Sequence, residues 1–532
     1  MDSSAISSRS AVRQIARAAG TVMAAFLITQ AIGLLRGILV YRVFGTSADL
    51  DSFNAANRVT ELLYNLMAGG ALGSAFIPTF TGLLAKEQRE RAWKLASAVA
   101  NLLLLGLTLV AALAMIFAPQ VVRHGLYVLS PGESIGQEAL TVALLRVMLP
   151  TVVIFGLSGL VMGILNANQR FWLPAIAPAM YSIGQILGVL LLPRELGINR
   201  LAWGALAGSL LHLLIQLPNL LKLGGGYTLT LGRGVAEVRE VISLMGPRIL
   251  GVAVVQLNFF VNTIIALSLP DGSVSSITLA FTWMMMPEVA IAQSVAVAAM
   301  PTFSTQVALG KLDDLRTSLA SSLRGVLLLA MPATVGLILL RTPLIRVLYE
   351  GGSFTALSTE MVAWALLWYT AGLMGHSVLE VIVRAFYALH DTRTPVTVGV
   401  VAMSLNVAFS FAFSRLFSAW GWMPHGGLAL ANSLATFLEM STLVILLRRR
   451  LNGLGGSTVP RALLLGGLGS LAMGLTVWGW LSLTAALPEV VRLVGGAAAG
   501  VAIYGAVMLA LRVPELNSVL AALRRRMKRK QG

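Results

Sequence analysis

Arg36, Asp51, Arg58 and Glu61 are ionisable residues set in two long apolar stretches near the start of the chain, and Glu288, Glu380 and Arg384 form a second set in the latter half. Charge at the centre of a bilayer costs at least about 2.5–3.5 kcal/mol on insertion scales, so such groups normally face protein or a water-filled cavity. Two readings follow from type and spacing. In the functional one, these side chains form a polar lining that handles a hydrophilic head group. In the structural one, Asp51 caps a helix start, Arg58 and Glu61 pair at i,i+3, and Glu380 and Arg384 pair at i,i+4 on one helix face. Buried pairs gain little net energy, so stability alone explains them weakly. Glu439, near the end of an apolar stretch, can snorkel toward water.

No enzyme constellation is visible. The chain has no nucleophile elbow, no phosphate-binding glycine loop and no His/Glu pair at metal-ligand spacing, and no cofactor or metal is expected. His376 is the one histidine well inside an apolar stretch and reads first as a packed hydrogen-bonding group. Asn258 and Asn262, at i,i+4, read first as interhelical hydrogen-bonding glue.

The elements that must position these residues are membrane spans. The 532 residues are 57% hydrophobic and only 11% charged, against roughly 25% charged in soluble domains. Apolar runs of about 20 residues recur along the chain, each long enough to cross a hydrocarbon core. Fourteen spans are expected, near 20–43, 52–84, 95–118, 138–164, 172–193, 201–221, 240–268, 274–307, 318–341, 358–388, 396–416, 426–447, 461–484 and 489–512. The second and eighth are too long for a simple crossing. They contain Gly69-Gly70 and Pro287, where either a bend or a tilted, protruding helix would answer.

The net charge of +17 sits in short loops and in the tail Arg524–Lys530. Anionic lipid and topology explain that placement, and nucleic acid is not an expected partner. Lys86, Arg89, Arg91 and Lys94 follow the second span, Lys222, Arg233 and Arg239 the sixth, Lys311 and Arg316 the eighth, and Arg448, Arg449 and Arg450 the twelfth. The loops after spans one, seven and thirteen are nearly free of basic residues. Positive-inside bias therefore places both termini in the cytoplasm, which requires an even number of spans. The polar first 19 residues, with Arg9, Arg13 and Arg17, read as a cytoplasmic start rather than a signal peptide.

The chain also repeats itself. Ala75-Phe76-Ile77-Pro78-Thr79-Phe80-Thr81 returns as Ala299-Met300-Pro301-Thr302-Phe303-Ser304, with Pro301 lying 223 residues after Pro78. The Asn166–Arg170 segment closed by Pro174 returns as Ala388–Arg393 closed by Pro395, and Gly204–Leu210 returns as Gly427–Ser433. Two homologous six-span halves in one polytopic chain are the plan of a transporter. The expected organisation is a cytoplasmic segment 1–19, an N-lobe 20–223, a linker 224–239, a C-lobe 240–450, two further helices within 456–512 and a basic tail 513–532. The lobes would be related by a pseudo-two-fold axis along the membrane normal.

These residues resemble the MurJ (MviN) lipid II flippases of the multidrug/oligosaccharidyl-lipid/polysaccharide exporter superfamily. The resemblance runs from about Thr21 to Arg450. It is carried by Met245-Gly246-Pro247 with Ile249-Leu250-Gly251 and Asn262-Thr263, and by Arg384-Ala385-Phe386-Tyr387-Ala388 running into Asp391-Thr392-Arg393-Thr394-Pro395. Gly163-Ile164-Leu165-Asn166, Ala75-Phe76-Ile77-Pro78 and Gly427-Leu428-Ala429-Leu430 add to it.

The resemblance implies fourteen helices, two six-helix lobes in a V around a central cavity, and a lipid-tail groove at helices thirteen and fourteen. It implies a bacterial inner-membrane protein that moves undecaprenyl-pyrophosphate-linked disaccharide-pentapeptide to the outer leaflet by alternating access. Its partners would be that lipid-linked glycan and membrane lipids, with cell-wall synthesis proteins as candidates. Of the family's charged cavity positions, Arg36 and Asp51 are kept and Arg58 fits an early basic position of span two. Gln30, Tyr64, Asn65 and Thr282 stand where the family has arginines, and Gly69 and Met285 where it has glutamates. Glu61 and Glu380 add negative charge. The substrate-binding set is therefore expected to be Arg36, Asp51, Arg58, Glu61, Glu380 and Arg384. A paralogue that moves another polyprenyl-linked oligosaccharide, or a non-transporting membrane scaffold, is the alternative. Membrane potential, or a proton or sodium ion taken by Asp51, Glu61 or Glu380, would supply the energy.

Overall fold

A backbone inside hydrocarbon must satisfy its own N–H and C=O groups, so the apolar runs become helices. The computed structural model describes residues 25–66, 75–130, 135–454, 456 and 458–513. The N-terminal segment, the Gly69-Gly70 pair and the basic tail lie outside the described residues. Two compact units divide the chain, Met1–Gly272 and Ser273–Gly532.

In the first unit, α1 (Ala25–Phe44) leads into α2 (Ala48–Tyr64), and α3 (Ile77–Ala85) ends the second expected span. Helices α4 (Arg89–Ile116), α5 (Ile135–Ala167), α6 (Trp172–Leu191), α7 (Asn199–Leu221) and α8 (Ala236–Leu267) follow. The second unit holds α9 (Ser273–Ala308), α10 (Leu312–Tyr349), α11 (Ala356–Ala371), α12 (Leu373–Ala388), α13 (Arg393–Ala419), α14 (His425–Arg450), α15 (Thr458–Leu483) and α16 (Glu489–Ala510). Among the described residues, 11 of these helices are long and apolar enough to cross a membrane, or 12 with α11 and α12 as one span bent by 43°. The chain is an all-α polytopic membrane protein.

The bend was not legible in the sequence. It falls at Gly372, where a side-chain carbon would lie 2.5 Å from the Ser433 hydroxyl, so the glycine lets α14 press against the break. The irregularity of α9 is a turn of π-helix at Val289–Gln293, which begins two residues after Pro287. One wide turn absorbs the ring and the missing donor that proline imposes. Residues 65–66 and 75–76 are also π-helical, on either side of the gap between α2 and α3.

The repeat appears in the backbone as two matched helix ends. Gln169 and His390 both take the left-handed conformation, at φ 57° and 58°. In each, the two N–H groups that follow the helix close onto its last carbonyls: Gln169 to Asn166 and Arg170 to Leu165, His390 to Tyr387 and Asp391 to Phe386. The same closure recurs with Glu87 to Leu84 and Gln88 to Leu83, and with Gly310 to Val307 and Lys311 to Gln306.

Small residues set the closest helix pairs. Gly184 and Gly188 of α6 face Gly204 and Gly208 of α7, and a carbon added at Gly184 would lie 2.2 Å from the Gly208 Cα. Gly427 of α14 meets the backbone of Phe413 in the same way, at 2.5 Å. This is the small-xxx-small contact of membrane helices. Arg200 fastens the ends: its Nη1 donates to Val189 at 3.0 Å, and its guanidinium lies 5.5 Å from the Phe44 ring centroid.

The linker is strapped along α4. Tyr227 donates to Asn101 at 2.6 Å, Asn101 donates to the Thr230 carbonyl at 2.8 Å, and the Thr228 N–H donates to Ser97 at 3.1 Å. Arg91 pairs with Glu237 at 2.5 Å. The repeat makes α8 the first helix of the second half, yet α8 packs on α2 and α4 and so belongs to the first unit. The contact boundary therefore falls one helix after the boundary expected from the sequence.

Overpacking costs about 1–3 kcal/mol where backbone cannot move away. Gly184→Ala and Gly427→Ala should each lower the thermal unfolding midpoint and folded yield, while Gly33→Ala, with open space around it, should not. Equal midpoints for all three would refute this packing. Asp391, in the turn before α13, accepts the Thr394 N–H at 3.0 Å and its hydroxyl at 2.8 Å, and takes Arg450 at 2.5 Å. The Thr394 N–H, then its hydroxyl and Arg450, hold the carboxyl below its ordinary 3.8. A depressed carboxylate contributes stability above its unfolded value and loses it as the pH falls through the folded one. Acidification from pH 5 to 3 should thus lower the unfolding midpoint of the parent more than that of Asp391→Ala, which at pH 7 should be less stable by about 1 kcal/mol.

Candidate functional site

Three of the four charged residues expected in the first unit lie on one polar strip. Arg36 on α1 donates to the Gln185 side chain at 3.0 Å. One turn earlier on α6, the Tyr181 hydroxyl makes a long 3.5 Å contact to Asn57 of α2. Asn57 donates to Glu61 at 2.8 Å, and Arg58 pairs with the other Glu61 oxygen at 2.8 Å. The Arg58 guanidinium also lies 5.3 Å from the Phe259 ring centroid of α8, a cation–π contact. The Arg58 and Glu61 side chains are 24% and 43% exposed, so the pair is not sealed in a core. The strip is held by α1, α2, α6 and α8 and offers two guanidinium groups, one carboxylate, two amides and a phenol. That set can receive an anionic, hydroxyl-rich head group through charge-assisted hydrogen bonds.

Asp51 stands apart. Ser47 is the helix cap, accepting the Leu50 N–H at 3.3 Å, which corrects the reading of Asp51 as the cap. Asp51 is buried one turn further on and accepts the Gly272 N–H at 2.7 Å. Gly272 has φ +86°, and a carbon there would lie 2.4 Å from the Thr46 carbonyl oxygen. Only glycine fits, so the carboxylate locks the segment after α8 onto the start of α2.

In the second unit, Arg384 and Glu380 of α12 pair at 2.9 Å with side chains 23% and 28% exposed. Glu288 of α9 is buried at 3% exposure, within electrostatic reach of both. Its Oε2 has no hydrogen-bond partner among the described residues. The three residues thus form one cluster of two carboxylates and one guanidinium. His376 contacts Asn432 and Thr436 at 3.2 Å each, the packed role its isolation suggested. Asn262 donates to Asn258 within its own helix, at 3.0 Å to the carbonyl and 3.3 Å to the side chain.

Sequence reasoning missed the residues that join the charges. Gln185 and Tyr181 are polar groups inside an apolar run at i,i+4, and that spacing was the available signal. A buried chain of Gln216, Ser158 and His212 was also missed: Gln216 donates to Ser158 at 2.8 Å, and Ser158 lies 2.6 Å from His212. Where the resemblance expects arginine, Tyr64 packs on Phe155 with ring centroids 5.8 Å apart, Gln30 is exposed, and Thr282 donates to the Thr278 carbonyl of its own helix.

The fold is that of a polytopic membrane protein whose helices carry charged side chains. The family model for the lipid II flippase MurJ matches residues 40–492, and the chain belongs to that family. The lipid II flippase MurJ of Burkholderia cenocepacia is 30% identical over 443 residues, covering 82% of this chain and 84% of its own. A probable lipid II flippase MurJ of Vibrio cholerae is 29% identical over 429 residues, covering 79% and 81%. Among solved structures, a lipid II flippase MurJ in an inward closed conformation shares the fold at a TM-score of 0.77 and 24% identity, over 92% of this chain and 98% of that one. An inward-facing multidrug resistance MATE family transporter of the MOP superfamily matches at 0.66 and 15%, over 80% and 94%. The chain is a transporter of the peptidoglycan biosynthesis class, not a catalytic enzyme.

Removing a buried acceptor and stranding its donor costs about 1–3 kcal/mol. Asp51→Ala should lower the unfolding midpoint accordingly, and Asp51→Asn, which keeps a carbonyl for Gly272, should lower it less. Equal losses would show that the Gly272 contact is not what Asp51 supplies to stability.

Proposed function

We propose that this protein moves undecaprenyl-pyrophosphate-linked peptidoglycan precursor from the inner to the outer leaflet of the bacterial cytoplasmic membrane by alternating access. Family membership supports the cargo class. The strip that runs from Arg36 through Gln185, Tyr181 and Asn57 to Glu61 and Arg58 is the observation that carries the site. A pyrophosphate with attached sugars cannot cross hydrocarbon unaided, whereas a prenyl tail stays in lipid. Guanidinium groups of Arg36 and Arg58 would take the pyrophosphate, with Glu61, Asn57 and Tyr181 presenting hydrogen-bonding edges to sugar or peptide. Arg384 with Glu380 would serve the same cargo in the second half, and Asp51 would hold the α2 end that presents Arg58. In this reading the chain has fourteen spans, two homologous six-helix halves and both termini in the cytoplasm, as the loop charges require.

A second cargo, another polyprenyl-linked oligosaccharide, is favoured by one observation: Tyr64 and Thr282 occupy cationic positions of the family and make packing and intrahelical contacts instead. Depletion separates the two, since lipid II accumulates on the inner leaflet only under the first.

In cells that rely on this protein, Arg36→Ala and Arg58→Ala should each cut lipid II appearance at the outer leaflet about tenfold or more, as loss of a charged contact of about 1.5–3 kcal/mol implies. Normal flipping and wall growth with both substitutions would remove these arginines from the site.

A further inference from the structure

A cavity of about 350 Å³ opens in the second unit, between α10, the first half of α11 and the turn that joins α13 to α14. Its lining includes Arg341 and Thr342 from α10, Glu360 and Trp364 from α11, and Trp422 and Met423 from the turn. The volume lies in the range of small-ligand sites, ~300–1,000 Å³. None of these residues belongs to the charged strips described above.

The walls are aromatic and fixed. Trp364 donates its indole N–H to the Met423 carbonyl at 3.1 Å, and a carbon at Gly426 would lie 2.2 Å from that nitrogen, so the glycine makes room for the ring. Trp364 and Trp422 meet edge to face with centroids 5.5 Å apart, and Phe417 packs on Trp364, Trp368 and Trp422. Trp420 and Trp422 are 56% and 43% exposed. A tryptophan-rich turn at the end of spanning helices marks the boundary between hydrocarbon and water.

An aromatic belt by itself needs no charge, yet this cavity carries one of each sign. Arg341 is half-buried and donates one guanidinium N–H to the Ile338 carbonyl of its own helix, so others remain for a ligand. Glu360 is exposed on α11. A purely anionic ligand would meet Arg341 but be repelled by Glu360, and a purely cationic one would face the reverse. A ligand that carries both a phosphate and an ammonium satisfies both. Tryptophan faces beside the carboxylate favour the ammonium further. Exposed Leu416 and Trp420, on α13 and the turn that follows it, offer apolar surface for attached chains.

We propose that this cavity holds the phosphoethanolamine head group of a membrane phospholipid, with the phosphate on Arg341 and the ammonium on Glu360 and the tryptophan faces. The assignment stands whichever lipid-linked glycan the protein moves.

The test uses the full-length protein, purified and delipidated in detergent, with thermal unfolding and native mass spectrometry read against phosphatidylethanolamine and phosphatidylglycerol. The ethanolamine lipid should bind about fivefold more tightly, the scale of one exposed ion pair, and should raise the midpoint more. Glu360→Gln should erase that preference, and Glu360→Lys should reverse it toward phosphatidylglycerol. Glu360 is exposed, so both variants test charge without disturbing the packed rings. Equal binding of the two lipids by the parent protein would overturn the proposal, as would an unchanged order of preference in Glu360→Lys. Stabilisation by soluble glycerophosphoethanolamine equal to that by the intact lipid would overturn the assignment to a phospholipid.

Discussion

A charge held at membrane depth must find its answer in another polar group of the protein, because hydrocarbon supplies none. That constraint orders the first unit. Arg36 reaches Gln185, Tyr181 reaches Asn57, and Glu61 takes both Asn57 and Arg58. These contacts fix the rotation of α1, α2 and α6 about their own axes, since each helix must turn its one polar patch toward the others. The glycine faces of α6 and α7 then bring backbone against backbone. Charge chooses the faces and small residues set the spacing.

Two matching turns outside the spans carry different chemistry. In the first, Arg170 follows a left-handed Gln169 and donates to the Asn219 carbonyl at 3.3 Å. In the second, Asp391 follows a left-handed His390 and receives Arg450 at 2.5 Å. Each contact ties the turn after the fourth expected span of its half to the end of the sixth. A cation is bonded to backbone at the first turn, and a carboxylate to a cation at the second. The two turns share a backbone form while the side chain that uses it carries opposite charge.

The sequence made much of this readable, for physical reasons. Apolar runs longer than a bilayer core declare helices whatever their packing, and the charged loops declare an alternation. Arg58 with Glu61 and Glu380 with Arg384 were legible because i,i+3 and i,i+4 partners lie on one helix face before any tertiary structure exists. What joins helices was not legible. The contact of Asp51 with Gly272 spans 221 residues, and no local pattern announces it. The bend between α11 and α12 rests on a glycine facing Ser433, so it too depends on a neighbour. The cap went to Ser47 rather than Asp51 because a hydroxyl just outside the helix reaches the first free N–H groups, while a carboxylate a turn further in points elsewhere.

Of the positions where the resemblance expects a charge, 64 has been taken over by packing. Tyr64 stacks toward Phe155, Phe155 meets Tyr181 at 5.2 Å and His212 at 5.3 Å, and His212 closes onto Ser158. An arginine at 64 would have to desolvate against this aromatic wall, so restoring it alone would strand a cation rather than rebuild a site. Arg58, by contrast, already has a carboxylate, an aromatic face and partial exposure. In α2 the cation therefore sits nearly two helical turns earlier than the Tyr64 and Asn65 positions, and the phenol and amide of Tyr181 and Asn57 link it back toward Arg36. A head group bound here would meet two guanidinium groups spaced by neutral hydrogen-bonding side chains, not a dense cluster of arginines. Under the proposed function, such a strip would leave more edges for sugar hydroxyls than a dense arginine cluster would.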